Sequence, residues 1–168
     1  MKQLTEGYVV LAQNNSDTDY VQCARVLAKS IRATGDTRPV TLITDRDPGD
    51  HQIFDSVVMM KSTATGEWRL GDDWQVYELS PYDRTFKIES DVVITRPLDN
   101  WWEICRGRSI LVATGARNYY QQPATSRHYR HVIDSNGLPD VYNGLTYFER
   151  STLARKFFNA IRTLFENW

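Results

Sequence analysis

The apolar residues fall into short dense runs, and the stretches between them are polar or carry helical spacing. Gly7–Ala12 (GYVVLA), Pro39–Thr44 (PVTLIT), Ser56–Met60 (SVVMM), Arg84–Ile88, Ile110–Thr114 (ILVAT) and Tyr142–Phe148 (YNGLTYF) read as strands. After the first strand, Val21, Ala24, Ala28 and Ile31 share one helical face, Asp17 or Thr18 offers a cap, and Gly35 fits just past the end. Asp72–Leu79 reads as a short helix stopped by Ser80-Pro81, and Trp101–Cys105 as a brief one. Gly115–Asn136 is polar, aromatic and aperiodic, and is expected to be a long loop. Ser151 caps a last helix whose apolar face holds Leu153, Phe157, Phe158, Ile161, Leu164 and Phe165. Strands alternating with helices predict an α/β domain, a mostly parallel sheet flanked by helices. Ligands of such sheets bind at the carboxyl ends of the strands.

Composition narrows the picture only slightly. With 20 Lys plus Arg against 21 Asp plus Glu, net charge argues for neither nucleic acid nor membrane. The chain of 168 residues is long enough for one domain with a real core. Cys23 and Cys105 are far apart in sequence and read as reduced thiols, which suits a cytoplasmic location. No apolar run approaches the ~18 residues of a membrane span, and the start of the chain is too polar-flanked for a signal peptide.

The segment Pro81–Pro97, PYDRTFKIESDVVITRP, carries the strongest chemistry. A strand that should be buried runs into Glu89-Ser90-Asp91, and an apolar run resumes at Val92. Two carboxylates at such a place are costly unless their charge is compensated. A hard divalent cation does this, and in phosphoryl sites it needs only one or two carboxylates plus substrate phosphates. The other reading is a strand that reaches the surface with two solvated acids. Other chemistries lack support: no GxGxxG follows a strand, and neither GxxxxGK[ST] nor GxSxG is present. His128 and His131 are three apart, but a zinc site needs more ligands, so they read as loop or surface residues.

Four segments in order resemble GT-A type nucleotide-sugar glycosyltransferases of the glycogenin-like class. They are YVVLAQNN with its following helix, PVTLITD, SPYDRTFKIESDVVI and DVYNGLTYF. The resemblance covers nearly the whole chain and is nearest in style to small bacteriophage members. It implies a Rossmann-like domain that uses a nucleotide sugar, a UDP sugar above all, with Mn²⁺ or Mg²⁺. The triplet is similar to the family's Asp-x-Asp. It makes Asp91 the direct metal ligand and puts Glu89 where the first acid touches the ribose, alone or with the metal. Ser90 is placed against the ribose or sugar. The loop after the first strand usually holds uracil, and the matching residues are Ala12, Gln13, Asn14 and Tyr20. A plain Asn-rich turn explains Gln13 and Asn14 equally. Asn143 and Gly144 match the strand that faces the donor sugar, where Gly144 permits close approach or marks a bulge. Asp140 accepts from sugar hydroxyls in this reading, and is otherwise a turn residue.

Two departures stand out. The family places a Lys or Arg upstream of the triplet to pair with the diphosphate, whereas this chain has Asp72 and Asp73 there, with Arg69 the nearest base. The family's last metal ligand, often a histidine, lies beyond the Asn-containing strand, and no histidine follows His131. The chain therefore resembles the amino-terminal part of the domain. The acceptor is not legible. Arg117–His131 interleaves bases and aromatics, a composition that suits a nucleic-acid strand, so modified DNA bases are one possible acceptor. A polar loop packed on its own tyrosines is the other reading. A nucleotide-sugar-binding domain without transfer activity is the alternative function.

Overall fold

The computed structural model describes residues 5–62, 70–118, 120–123 and 127–167. Six strands form one sheet: β1 (Glu6–Ala12), β2 (Val40–Thr44), β3 (Ser56–Met59), β4 (Arg84–Ile88), β5 (Ile110–Thr114) and β6 (Val141–Glu149), in spatial order β3-β2-β1-β4-β6-β5. The four strands from β3 to β4 are parallel, whereas β6 runs antiparallel to both β4 and β5. The expected α/β architecture is present as a mixed sheet, with a parallel half and an antiparallel edge.

Both faces of the central strands are covered, and this explains why β1 and β2 read as near-continuous apolar runs, whereas the edge strands β3 and β5 are only partly buried. On one face Tyr8, Val10, Ala12, Phe86 and Ile88 pack under α1 (Tyr20–Ala33). Trp102 and Cys105 of α3 (Asp99–Cys105) join the same cluster. On the other face Val9, Ile43 and Phe148 pack under α2 (Val76–Leu79) and α5 (Thr152–Glu166), through Val76, Tyr77, Ala154 and Phe158. The segment read as one short helix is a 3₁₀ turn, Leu70–Gln75, running into α2. Cys23 and Cys105 are both free thiols.

Asp19, rather than Asp17 or Thr18, caps α1: its carboxylate accepts the Gln22 N–H at 2.9 Å. Gly35 follows the helix with φ of 85°, a conformation that disfavours any other residue. The expected loop over Gly115–Asn136 is corrected, because α4 (Arg127–Ser135) lies within it. Its sequence, RHYRHVIDS, offers only Val132 and Ile133 as aliphatic positions, too few to reveal a helical period. Among the described residues no helix is long and apolar enough to cross a membrane.

At the amino end of the parallel strands a polar network locks the sheet to α3. Tyr8 donates to Asp36 at 2.6 Å and accepts from the Trp102 indole at 2.8 Å, while Arg38 pairs with Asp36 and Asp99 and lies over the Trp102 ring. Burial, and then the Asp36 carboxylate, push the Tyr8 hydroxyl pKa well above its ordinary value. This network is a structural clamp at the end of the parallel strands opposite Gln13 and Glu89.

Candidate functional site

β1 connects onward to β2 on one side and is flanked by β4 on the other, so the order of the sheet reverses between β1 and β4. Such a reversal opens a crevice at the carboxyl ends of the strands. The structure delivers two of the sequence motifs there: Gln13-Asn14 leaves β1, and Glu89-Ser90-Asp91 leaves β4.

The triplet is a tight turn, closed by the Val92 N–H on the Glu89 carbonyl at 3.3 Å. Ser90 is buried, Glu89 is half-buried and Asp91 is exposed. β6 brings its asparagine to the same place. The Glu89 N–H donates to the Gly144 carbonyl at 3.0 Å. The β5–β6 register jumps from Val112↔Thr146 to Ala113↔Tyr142, so Asn143-Gly144-Leu145 bulges from that ladder. A Cβ on Gly144 would come within 2.3 Å of the Tyr142 ring, so any larger residue here requires that ring to move. Asp140 stands just before β6, and its carbonyl accepts from the Gly115 N–H at 3.0 Å.

The electrostatics of this corner centre on residues that the sequence reading did not assign. Lys87, 3% exposed, projects from β4 two residues ahead of Glu89 and donates to Asp73 at 2.8 Å and to the Asn143 carbonyl at 3.3 Å. Asp73 also accepts from the Asn143 side-chain amide. The acid that seemed to replace a base is thus the counterion of a buried lysine. A lysine between Phe86 and Ile88 in a strand leading to two acids was the available signal. Arg46, after β2, is a second basic residue at the rim; it pairs with Asp45 and reaches the Asn14 carbonyl at 3.3 Å. Burial pushes the Glu89 carboxyl above its ordinary value, and Asp73 and Asp91 add to this while Lys87 opposes it. Among the described residues no donor reaches the Glu89 carboxyl.

The amides on the β1 side are engaged within the chain. Gln13 is buried and donates to Asp72 at 2.9 Å and, at 3.5 Å, to Asp45; its side-chain carbonyl oxygen has no partner among the described residues. Asp72, fully buried, also accepts from Ser62 and Gln75. Asn14 donates to Asp19 and accepts the Val21 N–H, so both ends of its amide hold the start of α1. Ala12 is buried in the core, and Tyr20, half-buried, packs against the same cluster. These four residues lie beside the crevice, with Gln13 held by Asp72 of the 3₁₀ turn and by Asp45 after β2, and Asn14 held by the start of α1.

Glu89 and Asp91 are oxygen donors whose mutual repulsion a cation would relieve, so this pair suits a hard divalent ion completed by ligand oxygens. Among the described residues no group of three or more His, Cys, Asp or Glu side chains could hold a metal by itself. His131 is exposed, and Arg69, Tyr119 and the side chains of Arg127, His128, Tyr129 and Arg130 lie outside the described residues.

No protein-family model matches the sequence, and no curated protein sequence matches it. Solved structures do. The apo form of the glycosyltransferase GlyE from Streptococcus pneumoniae TIGR4 aligns with 96% of this chain at a TM-score of 0.60 and 15% identity, over 39% of its own length. The galactosyltransferase LgtC, solved with donor and acceptor sugar analogs, aligns with 97% at 0.58 and 12% identity, over 66% of its length. Mouse xyloside xylosyltransferase 1 aligns with 96% at 0.57 and 11% identity, over 75% of its length. The chain spans between 39% and 75% of the length of these proteins, and what it shares with them is the architecture: a GT-A glycosyltransferase fold.

Proposed function

We propose that this chain is a metal-dependent glycosyltransferase domain that takes a sugar from a nucleotide sugar, with UDP as the favoured nucleotide. The observation that carries the reading is the meeting of Glu89-Ser90-Asp91 with Asn143-Gly144 at the reversal point of a GT-A fold, joined by the Glu89–Gly144 hydrogen bond. Asp91, exposed at the rim, would hold Mn²⁺ or Mg²⁺ directly, with Glu89 beside it. Such an ion stabilises the negative charge that grows on a departing diphosphate. In the net reaction an acceptor oxygen bonds to the anomeric carbon and the bond from that carbon to the diphosphate oxygen breaks. The electron pair stays with the diphosphate, which also takes the hydroxyl proton. Ala12, Gln13, Asn14 and Tyr20 border the base, Ser90 the ribose, and Asp140, Asn143 and Gly144 the sugar. Arg46, at the rim beside Asn14, is the residue that would meet the diphosphate charge in this reading.

A nucleotide-sugar-binding domain without transfer is the second reading. Two observations favour it: the lysine nearest the acids is spent on Asp73, and no third protein ligand for a metal stands among the described residues. Hydrolysis separates the two. With Mn²⁺ present, a panel of UDP-hexoses and a UDP-pentose should yield slow release of UDP from at least one donor. Glu89→Asp should retain that release and Glu89→Ala should lose at least tenfold of it. Tight UDP binding with no hydrolysis of any donor would favour the second reading.

A further inference from the structure

Asn143 reaches the crevice on the β6 bulge and is exposed there. A side-chain amide has one end that donates and one that accepts, and what holds one end decides which is left for a ligand. Here the nitrogen end donates to the Asp73 carboxylate. A carboxylate only accepts, so turning the amide over would set oxygen against oxygen. Asp73 is fixed in turn. Lys87, 3% exposed, donates to the same carboxylate oxygen at 2.8 Å and to the Asn143 backbone carbonyl at 3.3 Å. Main chain and side chain of Asn143 are therefore both held by one largely buried ion pair, through charge-assisted hydrogen bonds, the stronger kind. Among the described residues nothing donates to the Asn143 side-chain oxygen. Asn143, Asp73, Lys87 and Glu89 line the same cavity of about 580 Å³.

We propose that Asp73, held by Lys87, is a positioning residue that selects the donor sugar; the inference rests on the glycosyltransferase reading and deepens it. An unrestrained amide turns to suit either a ligand atom that donates or one that accepts. By holding the nitrogen, Asp73 leaves Asn143 only its oxygen, so Asn143 meets the sugar as an acceptor and nothing else. The sugar must therefore bring a free hydroxyl that donates to Asn143. A sugar whose oxygen at that place is missing, alkylated or replaced by fluorine is rejected, because it leaves the acceptor desolvated and unpaired. An ion pair that served stability alone would leave sugar selection unchanged when a neutral pair of similar size replaced it.

Calorimetric titration of the full chain with Mn²⁺ compares UDP, UDP-glucose and UDP-galactose with the deoxy and deoxyfluoro analogues of both hexoses at each hydroxyl. In at least one hexose a particular hydroxyl should matter: its deoxy and deoxyfluoro analogues should both bind about tenfold more weakly than the parent, or worse, since fluorine cannot donate. Asp73→Asn with Lys87→Met removes one charge of each sign, so the net charge beside Glu89 is kept. This double variant should bind UDP within about twofold of wild type and cut the penalty to about threefold or less. Asn143→Ala should remove the penalty too, and the double variant added to it should change it no further. Should the double variant not fold, Asp73→Asn alone makes the comparison, and the fluorine series on the wild type needs no variant. Three results overturn the inference and leave the proposed function standing: a penalty that survives in the folded double variant, a deoxyfluoro analogue that binds like the parent where the deoxy one does not, or no penalty at any hydroxyl. Affinities for UDP and UDP-hexose that fall in step in the double variant make the pair structural and overturn it as well. Absence of UDP binding to the wild type overturns both the inference and the proposed function.

Discussion

At the scale of one residue, Glu89 carries a charge that its surroundings oppose. Its carboxyl is held above its ordinary value by burial first, then by Asp73 and Asp91. A carboxyl whose folded-state value is raised binds more protons folded than unfolded between the two values. It therefore costs nothing well below the ordinary value of 4.5, and destabilises the fold increasingly as pH rises through the raised one. Glu89→Gln should accordingly melt higher than wild type at pH 8 and no higher at pH 4, each 1 kcal/mol of relief reading as roughly 2–4 °C in a domain of this size. Thermal unfolding at the two pH values checks it. A gain that is equal at both values would trace to packing rather than to charge.

Between elements, the 3₁₀ turn and β6 are tied to β4 through one carboxylate. Asp73 accepts from Lys87 at 2.8 Å and from the Asn143 amide, and so couples three segments that surround Glu89. Removing one member of a buried pair leaves the other unpaired, which costs several kcal/mol, whereas removing both can be nearly neutral. Asp73→Asn should lower stability by about 3 kcal/mol, and Lys87→Met added to it should restore most of the loss. Urea unfolding of the two single variants and the double variant measures this. Additive losses would mean that the pair carries no coupling. These elements also mark where the sequence was legible and where it was not. β1, β2 and α1 could be read because a strand buried on both faces is apolar throughout and a helix buried on one face repeats its apolar positions, while β3 and β5, less buried, still read as short aliphatic runs. α4 was missed because its pattern is histidine, arginine and tyrosine with few aliphatics. Lys87 was passed over because a lysine in a strand ordinarily points to solvent. Its partner stands fourteen positions earlier in the chain, a pairing that only the fold brings together. The acidic triplet and Asn143-Gly144 were legible because acids after a buried strand and a glycine within one are locally anomalous. The engagement of the Gln13 amide with Asp72 was not, since it depends on where the 3₁₀ turn docks.

For the whole molecule, the central claim is that a GT-A fold presents Asp91 and Glu89 to a cation shared with a nucleotide diphosphate. Two carboxylates hold such an ion weakly, and the diphosphate adds oxygen ligands, so metal and nucleotide should bind as a pair. Calorimetric titration of UDP with and without Mn²⁺, on wild type and on Asp91→Asn, tests this most directly. UDP should bind the wild type markedly more tightly with Mn²⁺, and the variant, folded and of nearly identical shape, should lose at least tenfold of that affinity, about 1.4 kcal/mol. UDP affinity that is the same in both proteins with Mn²⁺ present would contradict the assignment of Asp91 and Glu89 as the cation site.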